Sequence, residues 1–183
     1  DFCINLIKKI LDIKKTDLII EPSAGNGAFI DSINKLSDNC IFLDIKPENP
    51  QIEKGDYLTK IYSHAEGQIH IIGNPPFGRQ ASTAQKFMKH SCKIADTISF
   101  ILPKSFRKTS IKKKIPRNFH LLCEEDIPNN AFTVNSKNYS SVDLNKENIN
   151  ESDITLIVTN HKNIDYDLIY NYSNAILDTR GQY

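Results

Sequence analysis

"DLIIEPSAGNGAFIDSINKL", residues 17–36, changes its hydrophobic period halfway along. Leu18, Ile19 and Ile20 form an unbroken apolar run of the kind that suits a strand buried on both faces. From Phe29 onward the apolar positions Ile30, Ile33 and Leu36 recur at helical spacing. Between the two patterns lies "PSAGNG", whose glycines allow a tight turn. Strand, glycine turn and helix begin an α/β unit.

The same alternation extends in both directions. Ile4, Leu6, Ile7, Ile10 and Leu11 predict an amphipathic helix over residues 2–12. "CIFLDI" at 40–45, residues 69–73, "TISFILP" at 97–103 and "DITLIVTN" at 153–160 read as strands, and "AQKFMKHSCKIA" at 84–95 as a helix. A further short helix is expected around residues 165–177. Strands alternating with helices imply a mostly parallel sheet with helices on both faces, a Rossmann-like α/β fold. Residues 129–152 turn to Asn, Ser, Lys and Glu and are predicted to be a mobile loop.

With 183 residues, 39% hydrophobic and 25% charged, the chain is expected to form one domain, residues 1–183, as part of a longer or trimmed chain. Lys plus Arg is 23 and Asp plus Glu is 22, so any electrostatic footprint has to be local. Cys3, Cys40, Cys92 and Cys123 include no C-x-x-C pair, which argues against a zinc site or a disulfide framework. No metal is expected. No apolar run reaches the roughly 20 residues that span a bilayer, and the expected location is the cytoplasm, that of the host if the source is viral.

In a parallel sheet of this kind ligands bind outside the carboxyl ends of the strands, so strand-end residues carry the functional question. The first strand ends at Glu21 and runs into Gly25 and Gly27. A dinucleotide fingerprint would place a third glycine where this chain has Ile30, which argues against NAD. Asp44 closes the second strand, where a carboxylate accepts the hydroxyls of an adenosine ribose. Asp56 follows the third, placed to meet an adenine amino group while Tyr57 packs on the ring. The fourth strand ends in "NPPFG", residues 74–78. Proline fixes φ near −65°, so a carbonyl in this turn is aimed in advance.

"EPSAGNG" followed about 50 residues later by "NPPF" resembles the class I S-adenosylmethionine-dependent methyltransferases that methylate amines, above all the adenine-N(6) enzymes. The resemblance covers about residues 17–125. It implies a seven-stranded methyltransferase sheet, S-adenosylmethionine as cofactor and S-adenosylhomocysteine as product. Glu21 would contact the methionine end of the cofactor; Pro22, Ala24, Gly25 and Gly27 would shape the loop beneath it. Asp44 and Ile45 would hold the ribose side, Asp56 and Tyr57 the adenine, with Asn74 also at the cofactor. Asn74, Pro75, Pro76 and Phe77 would be the catalytic turn. The Asn74 side-chain oxygen and the Pro75 carbonyl would take the two N–H bonds of the target amine, and Phe77 would stack on a flipped base.

Cytosine carbon-5 methylation needs a cysteine nucleophile, normally after a proline at this strand end, and the chain has no Pro-Cys pair. Methylation of a protein glutamine ranks behind both nucleic-acid readings, because the related motif prefers tyrosine where Phe77 stands. A catalytically silent partner subunit is a further alternative. "KSFRKTSIKKKIPR", residues 104–117, is rich in Lys and Arg and has no acid. Lys104, Arg107, Lys112, Lys113 and Lys114, together with Arg79, are the expected phosphate contacts. The expected polymer is DNA, as in restriction-modification systems including viral ones, with structured RNA as the alternative. Residues after 160 are too few for a target-recognition domain, so specificity is expected to come from the 129–152 loop, or from a partner subunit or a further segment, or the substrate is an RNA recognised by shape.

Overall fold

The computed structural model describes residues 2–62, 66–128, 132–134, 137–139, 144–151, 155–157 and 164–178. Where one domain was expected, the chain divides into two compact units, Asp1–Glu125 and Asp126–Tyr183.

The first unit opens with helix α1 (Phe2–Ile10), which buries Ile4 and Ile7 one turn apart. Strand β1 (Leu18–Glu21) is buried at all four positions. Helix α2 (Ile30–Asn34), strand β2 (Asn39–Asp44), the two-residue strand β3 (Glu53–Lys54) and strand β4 (Ile69–Gly73) follow. Helix α3 (Ser82–Ser91), strand β5 (Thr97–Phe100) and the short helix α4 (Thr109–Lys112) complete the unit. The five strands form one sheet in the order β3-β2-β1-β4-β5, and every pairing is parallel. That order is compatible with a Rossmann-like fold. It reverses between β1 and β4, so the crevice outside their carboxyl ends is the topological switch point.

Strand periodicity divides the core into two layers. Ile19, Phe42 and Ile72 face a cluster containing Ile4, Ile7, Ile30 and Ile33, so α1 and α2 cover that side. Leu18, Ile20, Leu43 and Ile71 face the other way, onto Tyr57 and Phe87. At the amino-terminal end of the sheet Asp17 and His70 form a buried pair 3.1 Å apart, and His70 Nδ1 lies 2.7 Å from Thr97 Oγ1. Burial works to raise the Asp17 pKa, but the backbone N–H groups of Gln68 and Lys14 and the His70 side chain outweigh it and hold the carboxyl below its usual value. This pair ties β1, β4 and β5 together at the end of the sheet away from their carboxyl ends.

The second unit holds strands β6 (Phe132–Val134) and β7 (Lys137–Tyr139), paired antiparallel. Helix α5 (Lys146–Asn150) and helix α6 (Tyr166–Tyr172) bring Ile149 and Ile169 into a small cluster of their own. Strand β8 (Thr155–Ile157) pairs in parallel with β9 (Ile176–Asp178). Within the segment 129–152 the described residues include the antiparallel pair β6–β7 and helix α5. One expectation is corrected here. The sheet of the first unit holds five strands, not seven, among the described residues, because the late strand finds its ladder partner within its own unit. Residues 153–154 and 158–160 of that expected strand lie outside the described residues.

Candidate functional site

Glu21, the last residue of β1, is only 2% exposed, and its Oε2 is buried without a hydrogen-bond partner among the described residues. Burial, with the nearby Asp44 carboxylate adding to it, pushes its pKa up to about 7. The side chain lies over the end of the neighbouring strand. A Cβ added to Gly73 would sit 3.3 Å from Glu21 Cγ and 3.3 Å from Pro22 Cδ. Gly73 therefore makes room for the carboxyl at the mouth of β4, a role the sequence reading did not assign; a glycine ending a buried strand is the signal that pointed to it.

The glycine turn after Glu21 is held from two sides. Ser23 Oγ donates to the Asn74 carbonyl at 3.0 Å, which joins the β1 and β4 turns directly. Ala24 is buried and its N–H donates to the Leu43 carbonyl at 2.8 Å; the Gly25 N–H donates to Asp44 Oδ2 at 2.8 Å. Gly25 has φ of +55°, and a Cβ there would meet nothing within 4 Å, so its glycine serves the backbone conformation and opens onto free space. Gly27 has φ of +88°, so its glycine also serves the backbone conformation, and a Cβ there would in addition press on the side-chain ends of Ile30 and Asn49, at 2.7 and 2.8 Å.

Asp44 accepts from Gly25 N–H through one oxygen and from Lys46 N–H, at 2.8 Å, through the other. Each carboxylate oxygen has a second lone pair, so this bracing leaves acceptor capacity while fixing the carboxylate's direction. Ile45, the next residue, is 70% exposed.

The ring contact with adenine expected of Tyr57 is corrected, whereas Asp56 engages only one carboxylate oxygen among the described residues. Asp56 is exposed and caps the turn that follows it, accepting from Leu58 N–H at 2.9 Å. Tyr57 is 1% exposed, stacks on Phe87 with ring centroids 5.4 Å apart, and meets Ser91 Oγ at 2.7 Å through its hydroxyl. Burial raises its pKa well above the ordinary value. A ring enclosed in this way belongs to the core and has no face to offer a ligand.

The fourth strand end presents the catalytic candidates. Asn74 is half-buried, with Oδ1 shielded and without a partner among the described residues. Pro75 is fully buried, Pro76 is exposed, and Phe77 is 39% exposed. The Phe77 carbonyl accepts from the N–H groups of Thr83 and Ala84, which anchors the turn to the start of α3. Glu21 Oε2 and Asn74 Oδ1 are thus two buried acceptors at adjacent strand ends, joined through the Ser23 bond and the Gly73 contact. An unpaired buried acceptor costs on the order of 1–3 kcal/mol, which a donor-bearing ligand recovers.

The basic run is less uniform than its composition suggests. Lys104 and Arg107 lie in a 3₁₀ turn, and Lys112, Lys113 and Lys114 at and after the end of α4. Glu124 accepts both Arg107, at 3.1 Å, and Lys112, at 3.1 Å. Arg79 and Lys114 instead line a groove with Lys86 and Lys89 of α3, two lysines that the sequence reading did not single out. Their spacing of three on a helix that carries Ser82 and Gln85 at i−4 was the available signal.

Among the described residues no helix is long and apolar enough to cross a membrane. No protein-family model matches the chain, and no curated protein or solved structure shows significant similarity to it.

Proposed function

We propose that the first unit is an S-adenosylmethionine-dependent methyltransferase acting on the exocyclic N(6) amine of adenine in nucleic acid, DNA first. The observation that carries the reading is the pair of buried, unpartnered acceptors, Glu21 Oε2 and Asn74 Oδ1, at the switch point of a parallel sheet. The donor set suits the cofactor. Glu21 offers an acceptor to its ammonium group, the open space at Gly25 admits it, Asp44 retains lone pairs for ribose hydroxyls, and exposed Ile45 offers an apolar surface beside them. When bound, S-adenosylmethionine supplies a methyl group on a sulfonium sulfur.

The chain's own residues act on the amine. The adenine amine is a weak nucleophile because its lone pair is delocalised into the ring. Asn74 Oδ1 accepts one N–H and the Pro75 carbonyl accepts the other, which draws the nitrogen toward tetrahedral geometry and frees the lone pair. Burial of Pro75 and the Ser23 bond to the Asn74 carbonyl hold this turn before substrate arrives, so orientation is prepaid. Phe77 offers an exposed ring face for the extruded base, worth roughly 1–3 kcal/mol per stacked base.

The test is to incubate the chain and labelled S-adenosylmethionine with DNA and RNA pools, digest them, and identify methylated nucleosides by mass spectrometry. N(6)-methyladenine is the expected product, and its absence from both pools overturns the proposal. Asn74→Ala is expected to lower turnover roughly 100-fold while S-adenosylhomocysteine still raises its melting temperature. Turnover at the unaltered rate would show that the amine does not rely on Asn74.

A further inference from the structure

Beyond the strand ends, the first unit carries a groove of about 410 Å³ that starts at Arg79, two residues past Phe77. One wall is a single face of α3, where Ser82, Gln85, Lys86 and Lys89 stand at helical spacing. The other wall is the segment at and after α4, from which Lys114 Nζ reaches across to donate to Gln85 Oε1 at 2.9 Å. Between the walls the surface is apolar, formed by Met88, Ile111, Ile115 and Pro116 over the buried Phe106 ring. The lining includes no acidic residue. Among the described residues none of Arg79, Lys86, Lys89 and Lys114 takes part in an ion pair, unlike Arg107 and Lys112, which share Glu124.

We infer that this groove binds an unpaired stretch of phosphodiester strand next to the target base, with its phosphates on Arg79, Lys86, Lys89 and Lys114 and a neighbouring base on the apolar floor. Charge complementarity selects a polyanion. The apolar floor selects one whose bases are free to turn inward, because a continuous duplex presents only phosphates and sugars along its rim. Continuity with Phe77 places the strand so that one nucleotide occupies the ring face and the next enters the groove; this part rests on the methyltransfer reading. Lys112 and Arg107, held by Glu124, contribute less than the sequence expectation assigned them.

The experiment is an anisotropy titration of the full chain with a labelled single-stranded DNA 12-mer, its duplex, and the RNA of the same sequence, at several salt concentrations. The single strands are expected to bind more tightly than the duplex, and the DNA and RNA arms identify the preferred sugar. Lys86→Gln with Lys89→Gln should weaken single-strand binding about tenfold at low salt and reduce the log–log salt slope by about 1 to 1.5. Ile115→Asn should weaken binding with the slope unchanged. The same charge change on α1, Lys8→Gln with Lys9→Gln, serves as control, and circular dichroism checks the fold of every variant. A duplex bound as tightly as the single strands, or an unchanged slope in the α3 double variant, overturns the inference. Strand binding that depends on the groove without any N(6)-methyladenine overturns the methyltransfer reading alone; methylation with an indifferent groove overturns the groove alone.

Discussion

Glu21 holds a proton that an ordinary glutamate would have lost, because its carboxyl is buried and a second carboxylate, Asp44, stands near it. Its pKa is raised from 4.5 to about 7, so the folded chain keeps this proton while the unfolded chain releases it between those values. Stability from this group is therefore complete below pH 4.5 and declines as pH rises through 7, by roughly 3 kcal/mol in all. Glu21→Gln is expected to raise the urea midpoint at pH 8 and leave it nearly unchanged at pH 4, while weakening the thermal shift given by S-adenosylhomocysteine. Equal midpoints at pH 8 would mean that the carboxyl is not held in this state. Among individual residues, Glu21, Asp44 and Asn74 were legible in the sequence because each ends a buried apolar run. Tyr57 was not, since nothing in "KGDYL" tells which way a ring turns after a two-residue exposed strand.

The turn from β4 into α3 is the most constrained element of the candidate site. Gly78 has φ of +67°, and Gln80 and Ala81 also occupy the left-handed region, at +52° and +60°. Left-handed backbone costs a residue with a Cβ about 1–2 kcal/mol, so the turn stores strain next to Phe77. A Cβ at Gly78 would also stand 2.9 Å from Thr83 Cβ and 3.0 Å from the Thr83 backbone nitrogen. Gly78→Ala is expected to destabilise the chain by roughly 2 kcal/mol or more and to lower methylation by displacing Phe77 from its anchor on Thr83 and Ala84. A thermal midpoint equal to that of the unaltered chain would show that the turn relaxes. Glycine and proline announced a turn here, yet its left-handed run past Gly78 was illegible, since Gln80 and Ala81 have no preference for that region. The long elements were read closely because their apolar runs and helical periods are unambiguous, whereas β3, two exposed charged residues at a sheet edge, carries no such signal.

The two compact units keep separate cores, with Ile149 and Ile169 clustered apart from the layers that cover the sheet. Every residue proposed to hold the cofactor or the target amine lies in the first unit, Asp1–Glu125. A chain ending at Glu125 is therefore expected to unfold cooperatively and to keep its thermal shift with S-adenosylhomocysteine; a truncated chain that folds but shows no shift would place part of the cofactor site in residues 126–183. Hydrophobic period and turn chemistry are local quantities, and from the sequence alone they determined that β1, β2, β4 and β5 are strands, with helices after β1 and β4 and with Glu21, Asp44 and Asn74 at strand ends. Strand order, the turning of Tyr57 into the core, the pairing of Glu124 with Arg107 and Lys112, and the gathering of Lys86, Lys89 and Lys114 around one groove are long-range outcomes. They were decided only in the folded chain, because they depend on which surfaces meet, and no local pattern encodes that.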